Sequence, residues 1–364
     1  MTNREQEILK LLRDNPMISQ NELAEALHIT RSSVGVHITN LMKKGTILGK
    51  GYIIQKERYV CVVGGSNVDI LGSPKNKLIP RDSNIGTVKI SLGGVGRNIA
   101  ENLVRLGVDT RLVSVVGDDA YGQRILEEAR LIGLNMQDTL VLNGAASSVY
   151  LCILDETKDM VLAINSMEIY DRMTVEFIKS KRHVIENAEL CVLDTNLPKD
   201  VLEYVLSTFK NTVFFLDAVS TVKALKVKDM IGRFHTIKPN RIEAEVLSGI
   251  PIQNDADLRK AAGIFHDRGV RQVFISLGEE GVFYSTSEAS GHIKQPPVKI
   301  VNATGAGDAF LAALALGYLR DMDARACAGL ACAASAIALG HENTINPTMS
   351  LETLFEKAKE LGLC

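Results

Sequence analysis

No apolar run in these 364 residues approaches the roughly 20 needed to cross a bilayer. The first residues, MTNREQEILKLL, are charged and helical and lack the apolar core of a secretion signal. Six cysteines are present (Cys61, Cys152, Cys191, Cys327, Cys332 and Cys364), but none forms a CxxC pair and their neighbours are mostly apolar. That excludes a zinc ribbon and argues against a disulfide framework; buried thiols in a reducing, cytoplasmic setting are expected. The net charge of −2 leaves the whole molecule without the excess positive field of a nucleic-acid binder, so any such contact must come from a local patch. There is no GxxxxGK[ST], hence no P-loop. The dinucleotide fingerprint G-x-G-x-x-G also fails, because in the frame starting at Gly94 its last position is Ile99. Internal repeats and low-complexity stretches are missing as well.

What is present falls into two styles, divided at residues 1–57 and 58–364. In the first segment Ile8, Leu11 and Leu12 share a face of one helix. Ser19 followed by Glu22 is a capping-box pattern that starts a second helix carrying Leu23 and Leu27. Thr30 caps a third, running to about Lys44 with Val34, Ile38 and Leu41 inward, and Gly45 ends it. TILGKGYIIQ then reads as a hairpin around Gly49-Lys50-Gly51. Three short helices and a hairpin make a winged helix-turn-helix. Arg31, Ser32, Ser33 and His37 are expected on the outward face of its recognition helix, toward base edges, with Lys43, Lys44 and Lys50 toward phosphates. Bases exceed acids over residues 1–50, and those near the third helix have no acidic neighbour in sequence. A solvated helical module used for subunit contact is the alternative.

The second segment opens with the apolar run YVCVVGG. LVSVVG (112–117), AELCVLD (188–194), TVFFLD (212–217) and QVFISLG (272–278) resemble it. Each is short and β-rich, as expected of strands covered on both faces, and helical stretches lie between them. The alternation predicts an α/β fold with an open, mostly parallel central sheet and flanking helices. SSVYLCILD and DMVLAIN alternate instead and predict a small antiparallel β lid.

The chemistry concentrates in a few motifs. Asn302-Ala303-Thr304-Gly305-Ala306-Gly307-Asp308 is a glycine-rich turn running into the apolar helix AFLAALALGYL. Free N–H groups and the helix dipole there favour an anion, and Asp308 at the mouth could take a proton from an alcohol. The alternative is that Asp308 merely caps the first helical turn. Asn240 and Glu243 in KPNRIEAE share a helix face and suit a hydrated Mg²⁺ bridging phosphates, or else form a capping box. GGVGRN (93–98), with Asn67 and Asp69 after the first strand, supplies polar side chains that could grip adjacent hydroxyls at a sheet edge.

In order, Asn67 and Asp69, GGVGRN, VGDDAYG (116–122), KPNRIEAE, SLGEEG (276–281) and NATGAGDAF resemble the ribokinase-like (PfkB) carbohydrate kinases over essentially all of 58–364. The resemblance implies an ATP-dependent kinase with Asp308 as base and the backbone of Gly305, Ala306 and Gly307 as anion hole. It further implies Asn67, Asp69, Gly94 and Asn98 on ribose-like hydroxyls. Asn240, Ser276, Gly278, Gly281 and Thr304 fall on the ATP side, and Asn240 and Glu243 at Mg²⁺. A monovalent cation, K⁺, is implied near about Ala338 to Asn343, and a homodimer through the lid by analogy. The chain departs from the commoner patterns: Asn302-Ala303-Thr304 replaces Asp-Thr-Thr, and Val95 and Arg97 alter the GGKGAN of ribokinase proper. With LDTNLP (193–198), AINSMEIY (163–170), TINP (344–347) and the fused winged helix, these variants resemble pseudouridine kinases. The implied acceptor is the 5′-hydroxyl of pseudouridine, with inosine or another nucleoside or sugar as the competitor. A reading of another class is a ligand-sensing transcriptional regulator.

Overall fold

A computed structural model describes residues 1–48, 58–295 and 297–363. The chain divides into two compact units, Met1–Glu57 and Arg58–Cys364.

In the smaller unit α1 (Asn3–Asp14), α2 (Gln20–Ala26) and α3 (Arg31–Lys43) each start at a side-chain cap: Thr2, Ser19 and Thr30. Thr2 with Glu5 and Ser19 with Glu22 are full capping boxes, which satisfy two otherwise unpaired backbone donors apiece. Ile8, Leu12, Leu23, Val34, Ile38, Leu41 and Ile47 form a core of their own. Beyond Leu48 the expected hairpin, with Lys50, lies outside the described residues.

The larger unit has strands β1 (Val60–Val63), β2 (Asn67–Pro74), β3 (Gly86–Gly93), β4 (Thr110–Val113), β5 (Val115–Gly117), β6 (Leu140–Leu142), β7 (Val149–Leu154), β8 (Met160–Ser166), β9 (Leu190–Asp194), β10 (Phe214–Asp217), β11 (Thr236–Ile237), β12 (Gln272–Ser276), β13 (Val282–Ser285) and β14 (Ser290–Ile293). The central sheet has eight strands in the order β14-β13-β12-β11-β10-β9-β1-β4. Pairing is parallel from β4 to β12 and antiparallel through β13 and β14. In β1, Val60 and Val62 enter one core cluster while Cys61 and Val63 enter the other, so the strand is apolar on both faces. The chain leaves β1 toward β4 on one side and returns to β9 on the other. Strand order therefore reverses at β1, which places a crevice at the carboxyl end of β1 and β9.

Two expectations change. LVSVVG is not one strand: it breaks at Ser114, and β5 leaves the central sheet to pair with β6. The lid is larger than SSVYLCILD and DMVLAIN, being a four-stranded sheet in the order β3-β2-β7-β8. It is mixed rather than antiparallel, because β2 and β7 run parallel. Five cysteines, Cys61, Cys152, Cys191, Cys327 and Cys332, are buried free thiols. Among the described residues no helix is long and apolar enough to cross a membrane.

Candidate active site

The carboxyl ends of the central strands carry the polar groups that the apolar strand bodies exclude. AELCVLD and TVFFLD both end in aspartate, and the β9–β10 register sets Asp194 beside Asp217. Asp194 is fully buried; its Oδ2 accepts the N–H of Gly65 at 2.7 Å and of Gly96 at 2.8 Å, and its Oδ1 accepts that of Asn196 at 2.8 Å. One carboxylate thus ties the turn after β1 to the start of α4 (Val95–Arg105). Burial raises its pKa, against the lowering by those N–H donors.

Asn67 and Asp69 sit on lid strand β2, not on the edge of the central sheet as expected. Asn67 Nδ2 donates to Asp69 Oδ1 at 2.6 Å. Pairing sets Asn67 opposite Gly93, and the Asp69 carboxylate lies across Gly93, where a side chain would collide with it. Gly94 then opens α4, one turn before Asn98. Asn98 reaches the other half of the site, its Nδ2 donating to Asp308 Oδ2 at 2.8 Å. Arg97 is buried and paired with Glu101 Oε2 at 2.8 Å inside α4, so its charge is spent within the helix.

Gly305 is the N-cap of the helix Ala306–Leu319, with φ 84°, and a Cβ there would come within 2.1 Å of Thr344 O. Only glycine fits both the left-handed backbone and that close approach. The helix N-terminus leaves its first N–H groups without intrahelical acceptors, at the place where Asp308 is buried. Burial, then the Asp217 charge, raise the Asp308 carboxyl to about 7, while Asn98 and Lys238 pull it down. Lys238 Nζ stands 3.0 Å from Asp217 Oδ2 and donates to Gly307 O at 3.3 Å. Burial lowers the Lys238 pKa, but Asp217 and Asp308 outweigh it and hold the ammonium charged.

Asn240 and Glu243 form a capping box on the helix Arg241–Ser248: Glu243 N donates to Asn240 Oδ1 at 2.8 Å and Asn240 N to Glu243 Oε2 at 2.9 Å. The cap alternative raised by the sequence is therefore present. Burial raises the Glu243 pKa, with Asp217 adding to it. Among the described residues no group of three or more His, Cys, Asp or Glu could hold a metal ion by itself.

A cavity of about 640 Å³ lies beside the loop. Ser276, Gly278 and Gly281 line it together with Ala306, Gly307 and Lys238. Asn240 joins this wall through a bridge to Ser276. Thr304 is exposed and does not line the cavity; Ala303 does. The sequence reading missed Lys238, Asp194, Asp217 and the far wall of Phe310, Cys332, Ser335 and Leu339. The terminal aspartates of two apolar strands were the visible signal for Asp194 and Asp217. The region Ala338 to Asn343 packs on the same loop: Asn302 N donates to Leu339 O at 3.3 Å and Asn302 Nδ2 to Glu342 O at 3.1 Å.

In the smaller unit Arg31, Ser32 and Lys43 are exposed, whereas Ser33 and His37 are half-buried. Lys44 is not without an acidic neighbour: its Nζ lies 2.8 Å from Glu5 Oε2, thirty-nine residues away. The Lys44–Glu5 pair also lowers the Glu5 pKa.

A family profile described as pfkB family carbohydrate kinase matches residues 57–351, and one described as winged helix-turn-helix DNA-binding matches residues 1–47. The chain is 40% identical over 353 residues to the uncharacterized sugar kinase YeiI of Escherichia coli (strain K12), covering 97% of this chain and 98% of that one. It is 38% identical over 299 residues to the pseudouridine kinase of the same organism, covering 82% and 96%. A solved structure from Clostridium perfringens, described as a candidate sugar kinase, superposes with a TM-score of 0.77 at 45% identity, covering 84% of this chain and 97% of that one.

Proposed function

From the premise that this chain belongs to the PfkB family of carbohydrate kinases, phosphotransferases with an alcohol acceptor, we propose that it phosphorylates the 5′-hydroxyl of pseudouridine with ATP. The observation that carries the reading is Asp308. It is a buried carboxylate at a helix N-terminus, raised to about 7 and bonded by Asn98 on the acceptor side. A general base works best when its pKa lies near the operating pH. Asn67, Asp69, Gly94 and Asn98 hold the ribosyl hydroxyls, and the lid strands β2 and β3 bring the first of them over the acceptor. Asp308 takes the hydroxyl proton while the N–H groups of Gly305, Ala306 and Gly307 face the charge that develops on the phosphoryl oxygens. ATP occupies the cavity lined by Ser276, Gly278 and Gly281, with Asn240 at its wall and Ala303 in place of the expected Thr304.

Mg²⁺ suits this end of the site, where Asp217, Glu243 and Asp308 lie about the ammonium of Lys238. Asn240 and Glu243 would hold its hydration shell, and the ion, bound with the nucleotide, would supply positive charge to the phosphates. K⁺ would be held by main-chain carbonyls near Ala338 to Asn343.

The substrate is named by the 38% identical pseudouridine kinase, since the site groups recognise ribosyl hydroxyls in general. Turnover with MgATP across pseudouridine, uridine, inosine and ribose tests it. The highest kcat/KM is expected for pseudouridine; a higher value for inosine overturns the named substrate and leaves the family standing.

A second role rests on the winged helix-turn-helix match over residues 1–47. Residues 1–57 act as a DNA-binding domain and 58–364 as the kinase domain. Arg31 and Ser32, exposed at the start of α3, face base edges, with Ser33 and His37 at the border of that surface. Lys43 meets phosphates, and Lys44 does so less than expected because Glu5 already neutralises it. A homodimer would present two such modules to two half-sites.

A further inference from the structure

We infer that Lys238, aimed by Asp217, contacts the non-bridging oxygens of the transferring phosphoryl group and is a further catalytic residue. This rests on the reading of the cavity as the ATP site. Lys238 follows β11 directly and is only 8% exposed, yet it lines that cavity. An ammonium has three protons and no acceptor. One is donated to Gly307 O, 3.3 Å away, and the charge pairs with Asp217 Oδ2 at 3.0 Å. That leaves a proton for an oxygen in the cavity. A Cβ placed on Gly307 would lie 2.9 Å from Nζ, so the ammonium rests against the loop whose N–H groups face the anion.

Asp217 is itself fixed. Its Oδ1 accepts the N–H of Val219 at 2.8 Å, and Val219 sits at φ 59°, a left-handed conformation that a β-branched residue adopts only when its surroundings impose it. The strained turn leaves Oδ2 facing Lys238. A buried ion pair is weak evidence for stability, because desolvation offsets most of its attraction. Here the cation of the pair also borders a cavity, which gives it an anion-binding position.

In the reaction the alcohol proton passes to Asp308 and the alcohol oxygen bonds to the γ-phosphorus. The bond from that phosphorus to the β–γ bridging oxygen breaks, and its electron pair leaves with ADP. Lys238 donates hydrogen bonds to the γ-oxygens throughout and keeps its protons.

The test is calorimetric binding of AMP, ADP and the non-hydrolysable AMP-PNP to full-length wild type, Lys238→Met and the double variant D217N/K238M, followed by turnover. The double variant removes the pair as a unit and avoids leaving Asp217 buried without its cation, so it carries the test if the single variant does not fold. AMP-PNP should bind about 10- to 100-fold more weakly to both variants, with AMP unchanged. The kcat should fall about 10²–10³-fold with little change in acceptor KM, as for loss of one transition-state donor. Equal weakening of AMP and AMP-PNP, or none of either, overturns the role of Lys238. Wild type that binds no adenine nucleotide overturns the ATP-site reading instead.

Discussion

Asp308 lies within hydrogen-bonding distance of an amide and near three other charged groups, and its behaviour with pH follows from them. Burial and Asp217 raise its carboxyl to about 7, so the proposed base would be lost by protonation as pH falls through that value. The kcat/KM of the wild type should therefore climb between pH 6 and 8, both taken as roughly one unit either side of that pKa. Asp308→Asn should be about 10²–10⁴-fold slower and flat over the same range. Stability runs the other way. The folded carboxyl holds its proton above the unfolded value of about 3.9, so its favourable contribution is complete below that value and is lost as pH rises through about 7. Asparagine does not titrate, so the melting temperature of Asp308→Asn should exceed wild type by more at pH 8 than at pH 5, roughly the two ends of that window. A difference independent of pH would contradict the burial argument. This residue was legible because NATGAGD is contiguous. The grouping of Lys238, Asp217 and Asp194 was not, since the two aspartates end different strands, Lys238 follows a third, and only the sheet brings them together.

Among the elements, the helix Arg241–Ser248 has a start that serves two readings at once. Asn240 and Glu243 cap it, and they stand beside the cavity wall. Glu243→Gln separates the two, because glutamine can fill the same capping position while losing the charge. If Glu243 organises a hydrated cation, the variant keeps its melting temperature and needs more Mg²⁺ for half-maximal rate. An unchanged Mg²⁺ requirement leaves only the cap. The lid shows where element-level reading stops. β7 and β8 announced themselves by alternating side chains. β2, NVDILGSP, has only Val68 fully buried, and β3 exposes most of its length, so neither carries the apolar signature of a strand. Their pairing depends on partners that sequence spacing does not reveal.

At the scale of the molecule the hydrophobic clusters are informative. Ile8, Leu12, Leu23, Val34 and Leu41 form a cluster confined to the smaller unit, and the larger unit has its own clusters on the two faces of its sheet. A chain starting at Arg58 should retain kcat/KM and lose salt-sensitive DNA binding; loss of turnover in a folded fragment would contradict this. Arg31→Ala in the full chain should reduce preference among DNA sequences, read by competition between sites. The division of the chain was visible as a change of style near residue 57. The charge map was less so, since Lys44 meets Glu5 only because α1 and α3 pack together.

The contact between Asn98 and Asp308 bears on how sparingly the enzyme uses its fuel. Asp308 Oδ2 accepts the Asn98 amide N–H at 2.8 Å, so the proposed base is already engaged before any hydroxyl reaches it. A water molecule entering beside a bound nucleotide must compete for that oxygen, whereas a ribosyl hydroxyl arrives with neighbouring hydroxyls that reward Asn98 for letting go. If Asp308 is the base, this competition should disfavour idle hydrolysis of ATP. Replacing Asn98 with alanine should raise phosphate release in the absence of acceptor relative to productive transfer, and an unchanged ratio would mean that water is excluded by other means.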